Sequence, residues 1–262
     1  MTTEYGEDSR DELWICRLGT IPYLQAVAMQ QAVQAQRQRD EIPDTLLLLE
    51  HPPVYTRGRR SHDDELPLGE DVYRARGVEV IATNRGGRIT YHGPGQLVGY
   101  PIMRIDSTHM HLRRMEEAII NSLSGEGIRA RSRCAEGPDY TGVWVEDRKI
   151  ASIGVHVARG VSTHGFAVNV DNDLAPFSWV VACGLPDTRM TSVAEELASG
   201  DPGSVESFRM NIAGYFSRAH ALRPKVVSPE ALGLPAEPAA EAIPEPAGEG
   251  APERVTAEAL AG

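Results

Sequence analysis

Arg85-Gly86-Gly87-Arg88-Ile89-Thr90-Tyr91-His92-Gly93-Pro94-Gly95-Gln96 is unlike any ordinary core element. Four glycines, a proline, two arginines and a histidine fall within twelve residues. Glycine lets a backbone approach a ligand closely and take positive φ, and Gly93-Pro94-Gly95 dictates a rigid turn. Between the glycine groups, Ile89, Thr90 and Tyr91 have strand chemistry. The stretch reads as a loop, a short strand and a second loop that carry polar side chains toward a ligand. A hairpin with incidental polar residues has the same outline.

Working outward, the elements on either side alternate between strand and helix. Leu13 to Leu18 reads as a first strand, and Thr20 caps a helix with Pro22 in its first turn. Leu24, Val27, Ala28, Ala32 and Ala35 give that helix one apolar stripe. The apolar run Thr45 to Glu50 predicts a strand buried on both faces. Val54 to Leu68 is polar and turn-rich and reads as a surface loop, followed by a short helix over 69–76 and a strand over 78–82. After the glycine-rich stretch comes a strand over 97–104. A helix capped by Ser107 or Thr108 then turns Leu112, Met115, Ile119, Ile120 and Leu123 inward. Further strands are predicted at 128–134, 142–145, 150–157 and 165–170, a short helix up to Leu197, and a last helix with Phe208, Ile212, Tyr215 and Phe216 inward. This mix predicts the α+β class.

The chain has 262 residues, enough for a sizeable core, and is 41% hydrophobic and 24% charged. Its formal charge of −11 is concentrated at the ends: residues 1–12 hold five acids against one base, and 222–262 hold seven against three. A basic excess is missing, which argues against a nucleic-acid partner. Arginines cluster locally, as in Arg57, Arg59 and Arg60 or Arg129, Arg131 and Arg133, and a shared face of them would suit an acidic protein. No run is apolar enough to cross a membrane. Residues 1–12 read as a loose leader without the apolar core of a signal peptide. Residues 223–262, with seven prolines and no aromatic residue, read as a disordered acidic tail after a folded domain at 13–222. Three cysteines, none in a C-x-x-C spacing, argue for a reducing, cytoplasmic compartment and against a structural zinc. No metal is expected either from His109-Met110-His111, whose spacing points the rings to different sides of a helix.

Three places carry chemistry. Besides the glycine-rich stretch there is Cys183, between a valine-rich strand and Gly184, where a thiol is well placed to project into a cleft. Its thiolate would need a positive neighbour or a base; alone, such a cysteine is equally a small core residue. Lys149 sits in a turn ahead of the dry strand Ile150-Ala151-Ser152-Ile153-Gly154. Most turn lysines are solvated, but a partly desolvated one can act as a base. His92 and His164 each precede a glycine and could line a pocket.

Together these places, in this order and at this spacing, resemble one family. The motifs are Arg-Gly-Gly-x-x-Thr-x-His-Gly-Pro-Gly-Gln from Arg85, Gly-Val-Trp from Gly142, Lys-Ile-Ala-Ser-Ile-Gly-Val from Lys149, His-Gly-Phe-Ala-Val-Asn-Val from His164, Cys183-Gly184 and Thr191-Ser192. They resemble the lipoyl-synthesis octanoyltransferases over about Leu13 to Leu222. The resemblance implies a biotin/lipoate protein ligase-like catalytic domain with a mixed, largely antiparallel sheet flanked by helices. It implies octanoyl transfer from octanoyl-acyl carrier protein to a lysine of lipoyl domains, those of 2-oxoacid dehydrogenase complexes and the glycine cleavage H protein, with no cofactor. It makes Cys183 the acyl-thioester nucleophile and Lys149 its activating partner. Arg85, Gly86, Gly87, Arg88, Ile89, Thr90, Tyr91 and His92, with Ser152, Ile153 and Gly154 and with Gly165, Phe166 and Ala167, would line the substrate. Ala182 departs from a proline that often precedes the cysteine. The alternatives are an ATP-dependent lipoate or biotin ligase of the same fold, a non-catalytic protein binding acyl groups or lipoyl domains, and a cysteine hydrolase using His92 or His164.

Overall fold

The computed structural model describes residues 11–185, 188–197 and 202–235, with backbone only at 183 and 202–205. In chain order its regular elements are β1 (Glu12–Thr20), α1 (Tyr23–Gln38), β2 (Asp44–Glu50), β3 (Val54–Arg57), α2 (Glu70–Ala75), β4 (Glu79–Ala82), β5 (Thr90–His92) and β6 (Gln96–Ile102). They continue as α3 (Thr108–Gly125), β7 (Arg131–Ser132), β8 (Gly142–Val145), β9 (Arg148–Ala158), β10 (Val161–Asn169), β11 (Arg189–Met190), α4 (Val193–Glu196), α5 (Pro202–Ala219) and β12 (Arg223–Val226).

The large sheet runs β12-β1-β2-β6-β10-β9-β8-β7, with β11 beside β9. β12 and β2 both pair parallel to β1; from β2 onward along the main path every pairing is antiparallel. Leu46 to Leu49 of β2 are buried on both faces, as a central apolar strand must be. One face packs Met115, Ile119 and Leu123 of α3 with Phe208, Ile212 and Phe216 of α5. The other packs Ala26, Met29 and Val33 of α1 over Val98, Tyr100 and Ala167. A second sheet, β4-β3-β5, covers a smaller core that includes Tyr55, Tyr73, Tyr91 and Phe177. The expected α+β architecture, with a mixed and largely antiparallel sheet flanked by helices, is the one observed. Ser107 caps α3 by accepting from the Met110 amide at 3.3 Å, and Ser192 caps α4 by accepting from Glu195 at 3.2 Å.

Several local expectations are corrected. The buried stripe of α1 is Tyr23, Ala26, Met29, Gln30 and Val33, on the face opposite the expected one, and Leu24 is 64% exposed. This face packs Ala26, Met29 and Val33 on the sheet, and at its start Tyr23 donates to the Thr83 hydroxyl at 3.3 Å. The expected surface loop over 54–68 begins with β3, whose Val54, Tyr55 and Thr56 are buried between β4 and β5; the turn residues that follow disguise so short a strand. The expected strand over 128–134 shrinks to Arg131–Ser132, because the buried carboxylate of Glu116 takes the Ser132 hydroxyl at 2.7 Å and the chain turns at Cys134. Lys149 lies within β9 rather than in the preceding turn. No strand precedes Cys183: Ala175–Trp179 and Ala182–Gly184 form 3-10 turns. Glu12 belongs to β1; the rest of the expected leader, up to residue 10, lies outside the described residues. The expected tail is folded at its start: Arg223–Val226 forms β12, and Leu232 and Leu234 are buried against the α1 face. The rest of that tail, 236–262, lies outside the described residues.

Candidate active site

A cleft with about 580 Å³ of empty space, part of it open to solvent, lies between the large sheet and the loop that enters β5. Its floor is the β9–β10 pair. There Ser152 faces Ala167, Ile153 faces Phe166 and Gly154 faces Gly165 in register, so two segments distant in sequence form one surface. The roof is the glycine-rich stretch. Gly86 donates its amide to Val155 O at 2.9 Å, crossing directly over β9. Gly154 permits that crossing, since a Cβ there would come within 2.7 Å of Gly86 O. Arg85, 8% exposed, is fixed from the small sheet: its Nε and Nη2 donate to Thr56 Oγ1 at 3.2 and 2.7 Å. Of the expected lining residues, Arg85, Gly87, Arg88, Ile89, Thr90, His92, Ser152, Ile153, Gly154, Gly165, Phe166 and Ala167 all border the cleft. Gly86 serves the roof through its backbone, and Tyr91 turns away into the small core against Tyr55 and Phe177.

Lys149 borders the same cleft and is only 2% exposed. A bulge aims it there. Val143 faces Ala151 across the β8–β9 pair, but Trp144 faces Lys149, so one extra residue is accommodated in β9. Ile150, Ala151, Ile153 and Val155 face the α3–α5 core, while Lys149 joins Ser152 and Gly154 on the cleft side. Gly142, at φ 134°, lies alongside: a Cβ there would sit 2.9 Å from Lys149 Cε. Thr191, in the predicted Thr-Ser motif, donates its amide to Lys149 O at 3.0 Å and ties β11 to this strand.

The side chain of Cys183 lies outside the described residues. Its backbone is part of the Ala182–Gly184 turn, which is pinned on both sides. Val181 donates to Glu65 O at 3.0 Å, and Gly184, at φ 69°, packs against Arg88. Arg88 is itself held by the buried Glu65 carboxylate at 2.7 Å and by Asp139 at 3.4 Å. The turn therefore adjoins the cleft rim.

The inner end is a cluster of neutral imidazoles and phenols that the sequence reading largely missed, since Tyr23, His51 and Tyr100 come from separate elements without a local motif. His51 donates from Nδ1 to Ile21 O at 2.6 Å, which leaves Nε2 to accept from the Tyr100 hydroxyl at 2.6 Å. Burial pulls its pKa down to about 4. His92 donates from Nδ1 to Gln96 Oε1 at 2.7 Å, and burial, reinforced by His51, holds it well below the ordinary histidine value. Gln96 in turn donates to Asn169 at 2.9 Å, and Asn169 to Thr191 O at 3.0 Å, so His92 is linked through side chains to the Lys149 strand. His164, at φ 56°, donates to Asn84 at 2.7 Å; burial and then Arg85 lower it to about 3. His111 lies elsewhere, buried against His220 under α3.

The lipoyl protein ligase A/B catalytic domain family matches residues 22–217. The chain is 46% identical over 201 residues to the octanoyltransferase of Rubrobacter xylanophilus, covering 75% of this chain and 89% of that one. It is 48% identical over 188 residues to the octanoyltransferase of Acidothermus cellulolyticus, covering 68% and 80%. Among solved structures, lipoate-protein ligase A bound with ATP superposes with a TM-score of 0.64 at 20% identity, over 84% of this chain and 92% of that one. The bipartite lipoate protein ligase of Thermoplasma acidophilum superposes at 0.62 and 19%, over 84% and 90%. These two likenesses concern the fold. Among the described residues no helix is long and apolar enough to cross a membrane. With a matched family over most of its length and octanoyltransferases among its relatives at nearly half identity, the chain belongs to the lipoyl protein ligase A/B catalytic domain family and is an acyltransferase.

Proposed function

We propose that the chain moves an octanoyl group from octanoyl-acyl carrier protein to a lysine of lipoyl domains through a thioester on Cys183. The acceptors are the lipoyl domains of 2-oxoacid dehydrogenase complexes and the glycine cleavage H protein. The observation that carries this reading is Lys149: a lysine buried to 2% exposure, re-aimed by a bulge into a glycine-lined cleft whose rim adjoins the turn bearing Cys183.

In the first half, the Cys183 thiolate attacks the carrier thioester carbonyl. A new C–S bond forms, the old one breaks, and the carrier leaves as a thiolate that takes up the proton of the Lys149 ammonium, which leaves Lys149 as the neutral amine. In the second half, the neutral amine of the acceptor lysine attacks, C–N forms, and Cys183 S–C breaks. The proton shed by the nitrogen passes by way of Lys149, and Cys183 leaves as thiolate. Thioester to amide is downhill, so the reaction needs no ATP. The ammonium form of Lys149 favours the thiolate in the first half, and its amine accepts the proton in the second. Acid–base help of this kind is worth roughly 10²–10⁴ in rate. Burying an octanoyl chain on the Gly154–Gly165 floor contributes at most about 5–6 kcal/mol at 0.8 kcal/mol per methylene.

Intact-mass measurement after incubation with octanoyl-acyl carrier protein tests the reading. The expected result is one octanoyl adduct on Cys183, discharged by a lipoyl domain without ATP. Acylation that requires ATP and leaves no adduct would overturn it in favour of the ligase chemistry.

A further inference from the structure

Trp144 is the cross-strand partner of Lys149 and is 1% exposed. Lys149 Nζ stands 5.3 Å from the centroid of its ring, within the range in which a cation is attracted to an aromatic face. The ring itself is fixed. Its indole N–H donates to Tyr140 O at 3.0 Å. The Arg133 guanidinium lies 4.5 Å from its centroid and 4.6 Å from that of Tyr140. Arg133 is in turn held by both oxygens of Glu136, at 2.7 and 2.6 Å, so a carboxylate balances its charge beside the ring. Val143 and Val145, the neighbours of Trp144 on β8, face the opposite core. Of these β8 side chains, the one turned to the lysine is thus the one with the strongest π face.

We propose that Trp144 is a positioning residue for the transfer reaction, holding the Lys149 ammonium by its π face while Arg133 and Glu136 fix the plane of the ring. The inference rests on the reading of Lys149 as the group that serves Cys183. The attraction favours the same ammonium twice. It holds the cation that accompanies the Cys183 thiolate in the first half. It also favours the cation formed when Lys149 takes the proton from the acceptor amine in the second. Leucine could fill much of the space but has no quadrupole to offer.

The test replaces Trp144 site-specifically by mono-, di- and trifluorinated tryptophan in the full chain, which weakens the ring quadrupole with little change of shape. Single-turnover transfer is expected to fall stepwise with each fluorine, by roughly 5- to 30-fold across the series, the span of a buried cation–π contact. The pH at half-maximal alkylation of Cys183 is expected to rise in step. Trp144→Phe should retain part of the rate and Trp144→Leu the least. A rate and alkylation profile indifferent to fluorination, in a protein that Trp144→Leu still slows, would reduce Trp144 to packing and overturn the inference. Lys149→Ala separates the two levels. Full transfer by that variant would overturn the underlying role of Lys149. A Lys149-dependent enzyme that ignores fluorination overturns only the role of Trp144.

Discussion

The side chain of Arg88 lies against the backbone of Gly184 so closely that a Cβ at Gly184 would sit 2.1 Å from Arg88 Cδ. Gly184 also holds φ at 69°. Gly184→Ala therefore meets two penalties: about 1–2 kcal/mol for the left-handed backbone, and the displacement of Arg88 from Glu65. Transfer should fall at least ten-fold, with a smaller loss of thermal stability, as read by octanoyl transfer and calorimetry. An active Gly184→Ala would show that the turn's packing is not needed for chemistry next door.

Lys149→Ala is expected to lower transfer by roughly 10²–10⁴ while the circular dichroism spectrum stays native. Cys183→Ala should abolish the acyl adduct altogether. Adduct formation at the wild-type rate in Lys149→Ala would contradict the assignment.

Gly154→Ala places a methyl 2.7 Å from Gly86 O, where the roof crosses the floor. Overpacking of this kind costs about 1–3 kcal/mol. Because the strain falls on the cleft roof, KM for the octanoyl donor should rise several-fold more than kcat falls. Unchanged steady-state constants would mean the roof yields freely.

His51 gives a pH dependence of known sign. Its folded pKa is depressed to about 4 from 6.5, so the unfolded chain binds the proton first. The stability contributed is fully present above pH 6.5 and is lost as pH falls toward 4, amounting to at most about 3 kcal/mol. Chemical denaturation between pH 7 and 4 should show this slope, and His51→Asn should flatten it. An equally steep slope in the variant would assign the effect to other buried histidines.

A chain ending at Leu222 lacks β12 and the buried Leu232 and Leu234. Two buried leucines are worth about 3–6 kcal/mol, or roughly 10–20 °C in Tm. Calorimetry of this truncation against the full chain measures the difference; equal melting temperatures would show those contacts to be dispensable.

What the sequence made legible follows the range of the interactions involved. Residues 85–92 could be singled out because clustered glycines leave a local mark, whereas 152–154 and 165–167 stood out as pocket lining only through the family resemblance, and the α+β mix followed from the mix of elements. The phase of α1 could not be read, since Leu24 is as apolar as any core residue and the rotation is decided by long-range packing of Ala26, Met29 and Val33 on Val98, Tyr100 and Ala167. The burial of Lys149 was hidden for a similar reason. Its direction depends on a one-residue bulge, and nothing in Arg148-Lys149-Ile150 announces an extra residue in the ladder. β12 was masked by a composition that is mostly proline, alanine and glutamate, although Leu232 and Leu234 supply the apolar contacts that matter.

β12 also sets an order of events during synthesis. Glu12 to Ile15 of β1 are made long before their outer neighbour, Arg223–Val226. Until then the nascent chain presents one side of a dry strand with unpaired amides and carbonyls, the kind of edge that recruits foreign strands. Protection of that edge of β1 is thus deferred until residue 226 has been made, and a chain truncated between residues 200 and 222 would carry most of its acyl cleft with its sheet still open.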